Sequence, residues 1–217
     1  MQTHPMRAGW ARRIGVLLAV LVPFVAACSS SSSPHHQASS SSSSVPLSTA
    51  LVEALSTQWV AQADPAAGIT FKLPGAATRR DHTESGIVQR VYTFPFSDQA
   101  AVSVGVADLP TADRVRPFVE NYASTLEQEF KSGGVTDFSI TEQHVSAYLG
   151  HPAWDMRIVY MPIAGEHISP AWFIRLVVDG LHVVVLQTVA SMPSVSETFV
   201  DTCRTLQERL DQTLKFS

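Results

Sequence analysis

The chain has 217 residues, 45% of them hydrophobic, with 15 basic and 19 acidic side chains and a net charge of −4. That length holds one medium domain plus a targeting segment, and the acidic balance excludes nucleic-acid binding by counterion release. Cys28 and Cys203 are the two cysteines, too few for a disulfide framework, so the fold must stand on packing.

Residues 1–27 read as a secretory leader: Arg7, Arg12 and Arg13 precede an apolar stretch from Ile14 to Ala27 that ends in small residues. A helix of that stretch would rise roughly 21 Å, short of the ~30 Å hydrocarbon core, which argues against a permanent transmembrane span. Val25, Ala26, Ala27 and Cys28 resemble the bacterial lipobox. Cleavage is expected between Ala27 and Cys28, with diacylglyceryl and N-acyl chains on the cysteine. Removing the leader takes away three arginines and no acid, so the net charge falls from −4 to −7. No basic cluster remains to attract anionic headgroups, and membrane attachment rests on the acyl chains. The Arg12 and Arg13 pair leaves the export route, general or twin-arginine, open.

Residues 28–45 are the lipidated cysteine and a serine-rich tether, interrupted by Pro34, His35, His36, Gln37 and Ala38. Such a segment has too little apolar surface to repay ordering. Its root-mean-square reach is on the order of 20–25 Å. It suits O-glycosylation, whereas two adjacent histidines without further ligands make a poor metal site.

The folded region, 46–217, is expected to be a single domain. A helix is predicted from Pro46 to about Gln62, with Leu47, Leu51, Leu55 and Trp59 at four-residue spacing and a stop at Asp64 and Pro65. Strands follow at Gly68 to Leu73, Gly86 to Phe94 and Ala101 to Ala107. The strongest helical pattern runs from about Ala112 to Ser132. Val115, Phe118, Val119, Tyr122, Leu126 and Phe130 form its stripe, and Gly133 and Gly134 its stop. Four strands are predicted next, at Asp137 to Val145, Ala153 to Met161, Ala171 to Asp179 and Leu181 to Ala190, with Asp179 and Gly180 as a two-residue hairpin turn. A last helix opens on a capping box from Ser194 to Glu197 and turns Phe199, Val200, Cys203, Leu206 and Leu210 inward.

This order gives an α+β domain, an antiparallel sheet covered by helices. The segment Gly68 to Pro74, the long helix after the third strand, the turn from Gly150 to Trp154 and the closing helix are similar to the PsbP-like α/β/α sandwich. That fold includes the LpqN-type lipoproteins of mycobacteria, and the resemblance, which spans roughly Gly68 to Leu214, implies an actinobacterial cell-envelope protein. The chain departs from the family after Pro74, where Gly75, Ala76 and Ala77 replace a polar segment ending in tryptophan.

The resemblance implies a noncatalytic accessory or binding module, and fold alone fixes no activity. The sequence has no G-x-S-x-G elbow, H-E-x-x-H pair, Walker loop or G-x-G-x-x-G after a strand, so no catalytic residue, cofactor or metal is assigned. His144, His151, His167 and His182, with Asp155, Glu166 and Asp179, are the residue types for a metal or acid–base site, but their spacing fits solvated surface positions better. Trp154 and Trp172 read as core rather than as the lining of a groove, and Cys203 as a small buried hydrophobe rather than a nucleophile. The expectation is a lipoprotein anchored on the extracytoplasmic face of the cell membrane, acting as an interaction module for another envelope protein. The alternative is a carrier of lipid or another apolar ligand, toward which the small residues Ala101, Gly105 and Ala107 point.

Overall fold

A computed structural model describes residues 46–97, 100–132, 137–161, 169–192 and 197–217. The leader, the tether, the Gly133 and Gly134 stop and the capping serines Ser194 and Ser196 lie outside the described residues. So do His167 and Glu166.

Helix α1, Leu47–Ser56, is shorter than its apolar spacing predicts. The cause is tertiary. The Trp59 indole N–H donates to the Ala54 carbonyl at 2.8 Å, and the Arg209 guanidinium donates to the carbonyls of Ala54, Leu55 and Thr57 while lying 4.8 Å from the Trp59 ring. These donors satisfy the carbonyls that every helix end leaves open. The chain then enters strand β1, Val60–Asp64, instead of continuing the helix.

Strand β2, Ile69–Leu73, pairs antiparallel with β1 on one edge and with the two-residue β10, Lys215–Phe216, on the other. Seven further strands form the main sheet: β3 (Thr78–Glu84), β4 (Ile87–Ser97), β5 (Ala100–Asp108), β6 (Asp137–Tyr148), β7 (His151–Met161), β8 (Ser169–Asp179) and β9 (His182–Met192). Their order is β3-β4-β5-β9-β8-β7-β6, antiparallel throughout. Helix α2, Val115–Ser132, follows β5 after a short 3-10 turn, and α3, Glu197–Thr213, follows β9.

The sheet divides two cores. On one face α2 buries Val115, Phe118, Val119, Tyr122 and Leu126 against Ile158, Trp172, Ile174, Leu176 and Val185. On the other, α1, α3 and the small sheet bury Leu51, Phe71, Cys203, Leu206 and Leu210 against Val102, Val104, Val184 and Leu186. The result is the expected α+β class, a sheet sandwiched between helical layers. Burying each such side chain contributes about 1.5–3 kcal/mol.

Three strands and one turn differ from the sequence reading. Strands β1, β3 and β10 were not expected, so five strands rather than three precede α2. The β8–β9 turn is centred on Gly180 and Leu181, because Asp179 itself pairs with His182. Gly180 has φ 58°, the conformation a type II′ turn requires at its first central residue.

Candidate functional site

Helix α3 lies over β8, β9 and β2; beside it on the same face, β6 and β7 present a shelf of half-buried side chains, Ser146, Tyr148, Asp155 and Arg157. Register explains what lines this shelf. Residues directly opposite in an antiparallel pair share a face, which sets Ser146 beside Ala153, Asp155 beside Arg175 and Arg157 beside Phe173. Charged side chains therefore stand where the rest of the sheet presents valine and leucine.

One row crosses the shelf to α3. The Ser146 hydroxyl donates to Asp155 at 2.8 Å, and the Arg175 guanidinium donates to Asp155 at 2.5 Å and to Asp211 at 2.9 Å. The Gln207 amide donates to the other Asp211 oxygen at 2.9 Å, and the Tyr148 hydroxyl donates to the Asp211 backbone carbonyl. Burial pushes the Asp211 carboxyl up to about 6, against the pull of Arg175. Burial also works against the charge on Arg175, but Asp155 and Asp211 more than offset it and hold that group above its ordinary value. The next row is Arg157 and Arg204, whose guanidinium carbons lie 5.6 and 5.9 Å from the Phe173 ring.

A second charged cluster sits where β4, β5 and β9 meet the β1–β2 corner. Arg90, 5% exposed, donates to the fully buried Asp64 at 2.5 Å and in bidentate fashion to Asp108 at 2.5 and 2.8 Å. His182 Nδ1 lies 2.8 Å from Asp108, and the Tyr92 hydroxyl donates to Asp64 at 3.2 Å. The hydrogen bonds that Arg90 donates to Asp108, then to Asp64, raise its pKa despite burial. Burial opposes charge on Asp108, yet Arg90 and His182 lower its pKa.

The histidines singled out by sequence do not converge. His182 joins the Arg90 cluster, whereas His151 stacks on Phe216 at 4.1 Å and lies 3.5 Å from Asp179. His144 occupies the β6 position opposite Asp155. No group of three metal-ligating side chains occurs among the described residues. Trp172 is buried and Trp154 packs at the edge of the α2 core. Cys203 is fully buried and its thiol is pushed up to about 12, where it is neither nucleophile nor metal ligand at neutral pH.

Arg90, Arg175 and Asp211 are the residues sequence reasoning missed. Their signal was a charge set inside an apolar run: Arg90 within Ile87 to Tyr92, Arg175 within Ala171 to Val178, and Asp211 one turn beyond Gln207 on the inner face of α3.

No family model and no curated protein matches the chain. Among solved structures, the chain is similar to the cyanobacterial PsbP (CyanoP) of Synechocystis sp. PCC 6803, at 12% identity and a TM-score of 0.49, over 74% of this chain and 94% of that one. It is also similar to the Ran-binding protein Mog1p of Saccharomyces cerevisiae, at 11% identity and TM-score 0.44, over 74% and 96% of the two chains. Protein PA94 of Pseudomonas aeruginosa follows at 14% identity and TM-score 0.41, over 74% and 98%. At these identities the likeness concerns fold and carries no activity with it.

Proposed function

We propose that the chain is a noncatalytic interaction module of the cell envelope, tethered through Cys28, that receives a partner protein on the shelf between α3 and strands β6 and β7. The observation that carries the reading is the charged surface of this half of the sheet. Asp155, Arg157 and Arg175 line it, with Ser146, Tyr148 and Arg204 around them, on the face whose other half is an apolar core. Charge with fixed internal partners offers orientation and specificity to a docking protein, and the buried Phe173 ring holds the Arg157 and Arg204 guanidinium groups in place above it.

The test is site-specific photocrosslinking in intact cells from Glu208, which is exposed on α3, with Val52 on α1 as the control position. A discrete crosslinked protein from position 208 and none from 52 supports the module, and identical patterns from both refute it. Native mass spectrometry of the protein from its own envelope separates the carrier reading, because a stoichiometric adduct of lipid mass would replace the module by a carrier. Mass analysis of the N-terminal peptide tests the anchor: acyl chains on Cys28 are expected, and an unmodified thiol would remove the tether from the reading.

A further inference from the structure

Among the described residues the main sheet has two edges, of which one is interrupted. Strand β6 carries a register shift between Ile140 and Glu142, a bulge of the kind that protects an edge from pairing. Strand β3 pairs with β4 through all seven residues without a shift, and its side chains are exposed or half-buried along the whole length.

The direction of its free hydrogen-bonding groups follows from the turn. Glu84 and Ile87 flank the two-residue turn at Ser85 and Gly86, both of which have positive φ, as a type I′ hairpin requires. Glu84 and Ile87 are therefore a hydrogen-bonded pair, and by alternation Thr78, Arg80, His82 and Glu84 direct their backbone groups at β4. Arg79, Asp81 and Thr83 direct theirs outward. The side chains of Arg79 and Asp81 leave this edge clear: they bond each other at 2.7 and 2.8 Å, and the guanidinium lies 5.5 Å from the Tyr92 ring.

We propose that β3 is the seam of a homodimer, pairing antiparallel with β3 of a second copy about a two-fold axis at His82 to join two seven-stranded sheets. The occupant is fixed by charge. With the axis at His82, Asp81 and Thr83 of the two copies exchange the outward backbone bonds. Arg80 of each copy then stands against Glu84 of the other at the closer, non-hydrogen-bonded positions, where opposite charges attract. Moving the axis to Asp81 sets two carboxylates against each other, and moving it to Arg80 sets two guanidinium groups together. The strand, with basic residues toward one end and Glu84 at the other, is thus complementary to its own reverse, as an isologous interface requires. This interface is independent of the shelf on α3.

Sedimentation velocity of the full chain in mild detergent should show a concentration-dependent dimer. Arg80→Glu should weaken it at least tenfold, and adding Glu84→Arg should restore it. Thr83→Pro removes an outward N–H that β4 does not use, so it should abolish the dimer while leaving the circular dichroism and melting temperature of the monomer in place. In a Cys28→Ser background, in which the buried Cys203 does not compete, His82→Cys should form an intermolecular disulfide under mild oxidation because position 82 meets itself across the axis, and Arg80→Cys should not because position 80 meets Glu84. A monomer at every concentration, a dimer indifferent to Thr83→Pro, or a disulfide through position 80 instead of 82 would each overturn the proposal.

Discussion

Replacing Asp211 by asparagine tests the energetics of the shelf most directly. Asp211 is 6% exposed, and burial holds its carboxyl at about 6 instead of 3.8. A carboxyl whose native pKa is raised binds protons more tightly in the folded than in the unfolded chain. Its favourable contribution is complete below about pH 4, declines as pH rises, and is lost above about pH 6. The difference corresponds to about 3 kcal/mol of strain held by the ionised group at neutral pH. Asparagine keeps the shape and the bond from Gln207 without the charge, and Arg175 keeps Asp155 as its partner. Asp211→Asn should therefore be more stable than the parent by up to about 3 kcal/mol at pH 7.5, with the gap closing as pH falls toward 4. Urea denaturation followed by tryptophan fluorescence at a series of pH values measures this. A difference that does not vary with pH, or an asparagine variant less stable at pH 7.5, would show that Arg175 compensates the carboxylate fully.

Arg90→Met should have the opposite sign, because it strands Asp64 without its buried counter-charge; a loss of about 3–5 kcal/mol in the same denaturation assay is expected. Leu149 has φ 50° and is 62% exposed. Leu149→Asn should raise stability by about 1 kcal/mol by relieving a left-handed conformation that leucine adopts at a cost. The Cys203 thiol should resist aromatic disulfide reagents in the native protein at pH 8 and react on addition of denaturant. Cys203→Ser should cost about 1–3 kcal/mol, since it sets a hydroxyl into an apolar core.

The elements legible in the sequence are those whose large apolar residues recur on one face. Alternation at Val102, Val104 and Val106 and the helical stripe from Val115 to Leu126 each report a face that meets a core. Strand β3, by contrast, has the sequence Thr-Arg-Arg-Asp-His-Thr-Glu and buries nothing large, so no hydrophobic period can mark it; its strand state comes from the backbone of β4. Strand β1 is hidden differently, since Val60 to Asp64 follows a helical spacing that Trp59 completes in sequence but not in space. The shelf was legible only in part. Asp155 was named among the candidates, but its partner Arg175 became visible through cross-strand register, and Asp211 comes from an element 56 residues further along the chain than Asp155.

The order of strands also dictates how the sheet must be assembled. Within it, β3, β4 and β5 pair with neighbours in sequence, as do β6, β7, β8 and β9, so each group can form as a local meander. Only β5 against β9 joins them, from Ala100 with Ala190 to Asp108 with His182. That pairing closes a loop of some eighty residues, a cost that must be met before its contacts reward it. Ser103 bonds Gln187 across this line at 2.8 Å, and Asp108 meets His182 at its end. The strand order thus predicts folding as two meanders that meet along an apolar junction set with polar contacts. Substitutions along β5 and β9 should slow folding, whereas those on β3 should act mainly on unfolding.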